Sequence, residues 1–233
     1  MGTKLIQKLF RSCIDLLLSA DCPACGIHTA GCPLPICREC ENTLIAGKVP
    51  PAVSSAHIPK ILACRSYDGI VRKCVHQFKY QRKQHMIRPF KGIMRDLFSE
   101  NCLIGSAIDL IVPVPIHRVR RRSRGFNQAE IIADALSGIL LIPLSLNNLV
   151  KTKNTVPQIR ITGRHRINNL KNSFSVLDPS LFGGKSILLV DDVMTTGATL
   201  DTCAARLRIA GAREVFGFTL ARTMQKHAHT TGV

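Results

Sequence analysis

Residues 186 to 200 read Ser186-Ile187-Leu188-Leu189-Val190-Asp191-Asp192-Val193-Met194-Thr195-Thr196-Gly197-Ala198-Thr199-Leu200. The apolar run Ile187 to Val190 has the length of a buried strand in a parallel sheet. Two adjacent carboxylates, Asp191 and Asp192, stand at its carboxyl end, and the small residues Thr195 to Thr199 come next. A helical period follows at once, with Leu200, Cys203, Ala204 and Leu207 on one face. A loop without bulky side chains lets its backbone N–H groups close on a phosphate, and the helix behind it adds its positive end. The hydroxyls of Thr195, Thr196 and Thr199 can donate to the same oxygens. Carboxylates repel phosphate, so Asp191 and Asp192 suit a vicinal diol, such as that of a ribose, or a divalent cation. A phosphate site beside a diol site describes a ribose 5-phosphate. An ordinary strand–turn–helix would explain one aspartate as a helix cap, but not the order of all the parts.

Composition sets the frame around this stretch. A chain of 233 residues has room for one good-sized domain and a small module. Its apolar content of 45% is ample for a core, and it has no tryptophan and few aromatics, so base-stacking platforms are scarce. A net charge of +17 favours polyanions: nucleic acid, phosphorylated substrates or an anionic membrane surface. At the N-terminus, Lys4, Lys8 and Arg11 precede an apolar stretch, but Asp15 interrupts it and no small-x-small site follows, so a signal peptide is not expected. Leu5, Ile6, Leu9, Phe10, Cys13, Ile14 and Leu17 instead share a helical face, and residues 1–20 read as an amphipathic helix packed on the body. No apolar run is long enough to span a bilayer, so a cytoplasmic protein is expected.

Cys22-Pro-Ala-Cys25 and Cys37-Arg-Glu-Cys40 are two C-x-x-C pairs eleven residues apart. Each pair directs two thiolates at one metal, and Cys22, Cys25, Cys37 and Cys40 together fit a closed, structural Zn²⁺ site. Cys32 lies between the pairs and is an alternative ligand. Residues 21–47 thus form a four-cysteine zinc-ribbon module. The other cysteines (13, 64, 74, 102 and 203) lie in apolar surroundings and read as buried thiols.

Residues 46 to 60, with Gly47, Pro50, Pro51, Ser54, Ser55 and Pro59, have linker composition. Beyond them, 60–225 read as the main domain. Ile61 to Tyr67 predicts a strand, and Asp68 or Gly69 starts a helix. Met86 to Phe98 predicts a second helix, and Asp109 to Pro115 a buried strand stopped by prolines. The basic loop after it carries Arg118, Arg120, Arg121, Arg122 and Arg124 where open α/β sheets bind ligands. Guanidinium groups match phosphate oxygens two at a time, so pyrophosphate, nucleic acid or both are sensible guests. Gln128 to Leu140 predicts a helix, Leu144 to Val150 a strand and Ser173 to Val176 an edge strand. Between those strands runs a polar segment with Lys151, Lys153, Thr155, Gln158, Arg160, His165 and Arg166, long enough to close over the phosphate sites as a hood. Arg213 to Ala221 closes the sheet.

The stretch 186–200 resembles the phosphoribosyl-pyrophosphate (PRPP) motif of type I phosphoribosyltransferases. Nearly the whole chain is similar to the ComF/GntX family. The likeness rests on the double C-x-x-C, Phe78-Lys79-Tyr80, Val112-Pro-Val-Pro115 and Arg124-Gly-Phe-Asn-Gln128. It continues through Thr155-x-x-Gln158, Arg166-x-Asn168, Val190 to Thr199 and Ala221-Arg222. Lys151 stands where an arginine is frequent. The resemblance implies an α/β fold, a parallel phosphoribosyltransferase-like sheet flanked by helices, behind a zinc module. It implies PRPP binding with Mg²⁺: Asp191 and Asp192 on the ribose hydroxyls, and Thr195, Thr196, Gly197, Ala198 and Thr199 on the 5-phosphate. Pyrophosphate or DNA would meet Arg118, Arg120, Arg121, Arg122, Arg124, Lys151, Lys153, Arg160 and Arg166. It also implies a role in natural transformation, handling incoming single-stranded DNA with a competence helicase and recombination proteins.

Catalysis is a separate question. Some transferases of this fold place a carboxylate base in the phosphate loop, where this chain has Thr195, and no carboxylate lies between Val193 and Leu200. No catalytic residue is assigned. Three readings follow: a PRPP-binding DNA-uptake protein, an active phosphoribosyltransferase with an unknown acceptor, or a zinc-ribbon adaptor docking a helicase.

Overall fold

The computed structural model describes residues 21–28, 34–80, 83–153 and 173–224. The predicted helix of residues 1–20, Cys13, Cys32, and the hood residues Arg160, His165 and Arg166 lie outside them.

Four parallel strands make the central sheet. They are β1 (Ile61–Ser66), β2 (Leu110–Pro113), β5 (Ser186–Met194) and β6 (Glu214–Arg222), in the order β1-β6-β5-β2. Among the described residues the helices are α1 (Arg38–Ile45), α2 (Gly69–Tyr80), α3 (Arg88–Glu100), α4 (Cys102–Ala107), α5 (Arg118–Arg124), α6 (Gln128–Leu140) and α7 (Ala198–Ile209). A two-stranded antiparallel ribbon, β3 (Leu149–Lys151) and β4 (Phe174–Val176), stands apart from the sheet.

Burial on both faces explains the unbroken apolar runs. Along β5, Leu188 and Val190 enter one core with α2, α3 and α6. Ile187 and Leu189 enter the other core with Leu200, Cys203, Ala204 and Leu207 of α7. Alternate residues of a strand point to opposite faces, so a strand covered on both sides has no polar position to spare.

Several sequence expectations shift in detail. β5 runs on through Asp191 and Asp192 to Met194, because Asp191 and Val193 pair with Thr219 and Ala221 of β6. The predicted helix at Met86 begins as a single 3₁₀ turn, Gln84–Ile87, and becomes α3 at Arg88 with Pro89 in its first turn. Within Leu144 to Val150, Leu144 bridges to Ile111 beside β2 and pairing resumes at Leu149. The basic stretch after Pro115 is not a loop but the short helix α5. His117 caps it by accepting from the Val119 N–H, and Gly125 ends it at φ 83°. Cys64, Cys74 and Cys203 are buried as expected, but Cys102 is exposed, since it opens α4 on the solvent side.

Residues 46–60 are fastened down at several points. Ser66 N–H donates to the Lys48 carbonyl, Arg222 donates to the Pro51 carbonyl at 2.7 Å, and Val53 bridges to Ile61. His57 binds the Asp201 carboxylate in the first turn of α7 through its backbone N–H at 2.9 Å and its ring at 3.1 Å.

Cys22, Cys37 and Cys40 share the α2–α3–α6 core with Ile36 and Leu44, while Cys25 is exposed. Arg65 joins that module to the sheet. It is 7% exposed and donates to the carbonyls of Leu44, Ile45 and Cys64 at 2.8, 2.6 and 2.7 Å. Two of these are end-of-helix carbonyls of α1, which have no partner within the helix. Gly47 makes room, because a Cβ there would meet Arg65 Cδ at 3.1 Å. Arg65→Met should therefore lower the unfolding free energy by about 3 kcal/mol, since charged hydrogen bonds to buried carbonyls are lost, as read by urea denaturation.

Candidate functional site

The sheet's connections set the site. From β2 the chain passes through α5 and α6 to the Leu144 bridge on the outer side of β2. From β5 it passes through α7 to β6 on the opposite side. β2 and β5 are neighbours, so the loops at their carboxyl ends diverge and leave a crevice, where open α/β sheets bind ligands.

One wall of the crevice is the small-residue loop. Thr195 and Thr196 are exposed, Gly197 is buried, and Ala198 and Thr199 are half-buried. Gly197 has φ 78° as the residue before α7, a left-handed conformation that glycine adopts freely. The Ala198 N–H reaches Thr196 Oγ1 at a long 3.4 Å. The loop thus sets two exposed threonines at the start of a 12-residue helix, an arrangement that suits an anion.

Asp191 and Asp192 lie at the base of this loop, both half-buried. Asp191 Oδ1 accepts the Asp192 N–H at 2.8 Å. Asp191 lies on the α7 face, and its charge reaches Cys203 and Lys151. Burial, and then Asp191, push the Cys203 thiol well up. Lys151 is held below its ordinary value by burial and by Arg120, while Cys203 and Asp191 pull it the other way. Lys151 Nζ also sits 5.2 Å from the centre of the Phe174 ring. Lys151 of the ribbon β3–β4 thus lies within electrostatic reach of Asp191 and of Arg120 in α5.

The arginines of α5 divide. Arg120 is half-buried, and its charge helps to hold Lys151 below its ordinary value. Arg121 pairs with Glu130 of α6 at 2.7 Å, and Arg124 reaches Gln128 Oε1 at 3.3 Å. Arg118 and Arg122 are exposed, and Lys153 is exposed beyond β3. Behind α5, Asn127 caps α6 by accepting from Ala129 N–H at 3.1 Å and donates to the Val114 carbonyl at 3.0 Å. Phe126 packs on Phe78 with ring centres 6.1 Å apart, and Gln128 reaches the Phe78 carbonyl at 3.5 Å. Residues 48 and 50 positions apart in sequence thus make one contact that seats α5.

The cysteine quartet is a second centre. The thiols of Cys22, Cys25, Cys37 and Cys40 all lie within 4.8 Å of one another. Cys25 and Cys37 Sγ are 3.6 Å apart, and the edge of a sulfur tetrahedron around Zn²⁺ is about 3.8 Å. Cys37 N–H points at Cys22 Sγ at 3.4 Å. Burial pushes the Cys22 thiol up, but backbone N–H groups of Cys37, Ala24 and Cys25 outweigh it and bring it down to about 6. Burial and the neighbouring thiols push Cys40 far up. Crowded thiols of this kind ionise together when a divalent cation sits among them, so the donor set fits zinc.

Sequence reasoning missed Arg65, which left one signal, a charge inside an otherwise apolar strand.

Among the described residues, no helix is long and apolar enough to cross a membrane. Residues 82–231 match the phosphoribosyl transferase domain. Competence protein F of Haemophilus influenzae is 41% identical over 116 residues, which is 49% of this chain and 50% of that protein, so the match spans half of that relative. The DNA utilization protein YhgH of Escherichia coli is 29% identical over 205 residues, covering 87% of this chain and 84% of its own. Competence protein ComFC of Bacillus subtilis is 28% identical over 221 residues, covering 91% and 82%. With the parallel sheet, the crevice and the cysteine quartet in place, the chain belongs to the phosphoribosyl transferase domain family, in its ComF branch.

Proposed function

We propose that this chain acts in natural transformation as a PRPP-binding protein that handles incoming single-stranded DNA in the cytoplasm. The observation that carries this reading is the pairing of β2 with β5, which sets the basic helix α5 beside the loop Thr195–Thr199. The loop would hold the 5-phosphate, and Asp191 and Asp192 the ribose hydroxyls. Arg120 and Lys151 would face the pyrophosphate. The acidic pair offers hard oxygen donors of the kind Mg²⁺ takes, and Mg²⁺ would neutralise pyrophosphate charge. Arg118, Arg122 and Lys153 extend the cationic surface beyond what one pyrophosphate needs, and a DNA backbone would occupy them. Residues 21–47 would hold one Zn²⁺, with 60–225 forming the phosphoribosyltransferase-like domain. The names of the relatives support the setting, and a competence helicase and recombination proteins are the partners proposed.

The test is a calorimetric titration of PRPP with Mg²⁺, in the presence and absence of a single-stranded oligonucleotide. Binding in both arms supports the reading, and absence of PRPP binding overturns the nucleotide half. DNA affinity should fall about 50-fold between 50 and 200 mM salt if about four phosphates are neutralised. Binding that ignores salt, or none at low salt, overturns the DNA half.

A further inference from the structure

Thr219 lies in β6 and is fully buried. Its neighbours Phe218 and Leu220 enter the core that holds α6, so Thr219 faces the α7 side. One row crosses the sheet there: Ala63 of β1, Thr219 of β6 and Asp191 of β5. Residues paired across parallel strands lie side by side, about 4.8 Å apart in backbone spacing. Ala63 has no polar side-chain atom, so Asp191 is the polar neighbour in that row. Among the described residues, Thr219 Oγ1 has no hydrogen-bond partner. Packing gives no reason for a hydroxyl here: valine has the same shape and would leave no buried donor unsatisfied.

Asp191 supplies a reason. One of its oxygens is turned back onto the Asp192 N–H. A carboxylate offers about four lone-pair sites, so it can accept a bond from within the protein while it accepts from a ligand diol. A carboxylate that holds a diol needs a fixed rotamer, and a buried O–H beside it supplies one. We propose that Thr219 is a positioning residue of the ribose site, its buried hydroxyl donating to the Asp191 carboxylate when a ligand diol is bound there. This rests on the PRPP reading above. It assigns the hydroxyl a role in the bound state that it lacks in the free protein.

Thr219→Val, Thr219→Ser and Asp191→Asn would each be titrated with PRPP and Mg²⁺, and melted without ligand. Thr219→Val should raise the Tm of the free protein by about 2–4 °C, because an unsatisfied buried group is removed. The same variant should weaken PRPP binding about tenfold, the scale of one charge-assisted hydrogen bond. Thr219→Ser should keep affinity within about twofold of wild type, since the hydroxyl is retained. A purely structural role cannot raise stability and lower affinity together. Wild-type affinity in Thr219→Val, with binding lost in Asp191→Asn, overturns the proposal and leaves the PRPP reading standing. Equal weakening in Thr219→Val and Thr219→Ser, with lowered Tm in both, marks a packing role and also overturns it. A wild-type protein that binds no PRPP overturns both.

Discussion

Asp191→Asn combined with Asp192→Asn is expected to abolish calorimetric binding of PRPP with Mg²⁺. A carboxylate that accepts from a sugar hydroxyl contributes about 1.5–3 kcal/mol, and two such losses weaken binding by roughly 10²- to 10⁴-fold. Loss of the charge that attracts Mg²⁺ adds to this. The fold should survive, because asparagine has the same shape and its Oδ1 can still accept the Asp192 N–H that Asp191 takes at 2.8 Å. Circular dichroism and thermal melting of the variant are therefore expected to match wild type. Unchanged PRPP affinity in the double variant would count decisively against the ribose assignment.

Metal removal should have the largest effect on stability. Purified protein is expected to contain about one zinc per chain, and Cys25→Ser should lose it. The consequence should not stay local. Cys22, Cys37 and Cys40 share a core with Leu62 of β1 and with Val71, Phe78, Phe90 and Met94 of α2 and α3. Arg65 ties the carboxyl end of α1 to β1. Chelation or Cys25→Ser should lower Tm by on the order of 10 °C, as loss of a structural metal removes several kcal/mol from a domain of this size. Full metal content in Cys25→Ser, or an unchanged Tm after chelation, would overturn the four-cysteine assignment.

Local grammar made much of this fold legible. The apolar run before Asp191, the small residues after it and the period of Leu200, Cys203, Ala204 and Leu207 each report short-range structure, and β5 and α7 follow them. The α6 boundaries match Gln128 to Leu140 because Asn127 is a capping residue next to a clean helical period. What escaped depended on partners distant in sequence. Asp191 and Asp192 belong to the strand because β6 pairs with Asp191 and Val193, and β6 lies more than 20 residues downstream. The arginine run coils into α5 because Phe126 and Gln128 are anchored on Phe78. The pairing of its arginines with Glu130 and Gln128 follows from that placement. Proline and serine content marked residues 46–60 as a tether, and composition carries no record of Val53 pairing with Ile61 or His57 with Asp201.

That fastened stretch bears on how such a chain can be divided. β1 is one edge strand of the sheet, and its free side is shielded where Val53 lies against Ile61. The same segment grips α7 through His57, one turn from the phosphate loop. A shortened protein beginning at residue 60 would bare a strand edge and release that grip at once. Such a fragment should stick to its own copies rather than persist as a free-standing half. Gene fusion or domain shuffling that separated the cysteine module from the sheet would meet the same penalty, so the two parts are expected to be inherited as one piece.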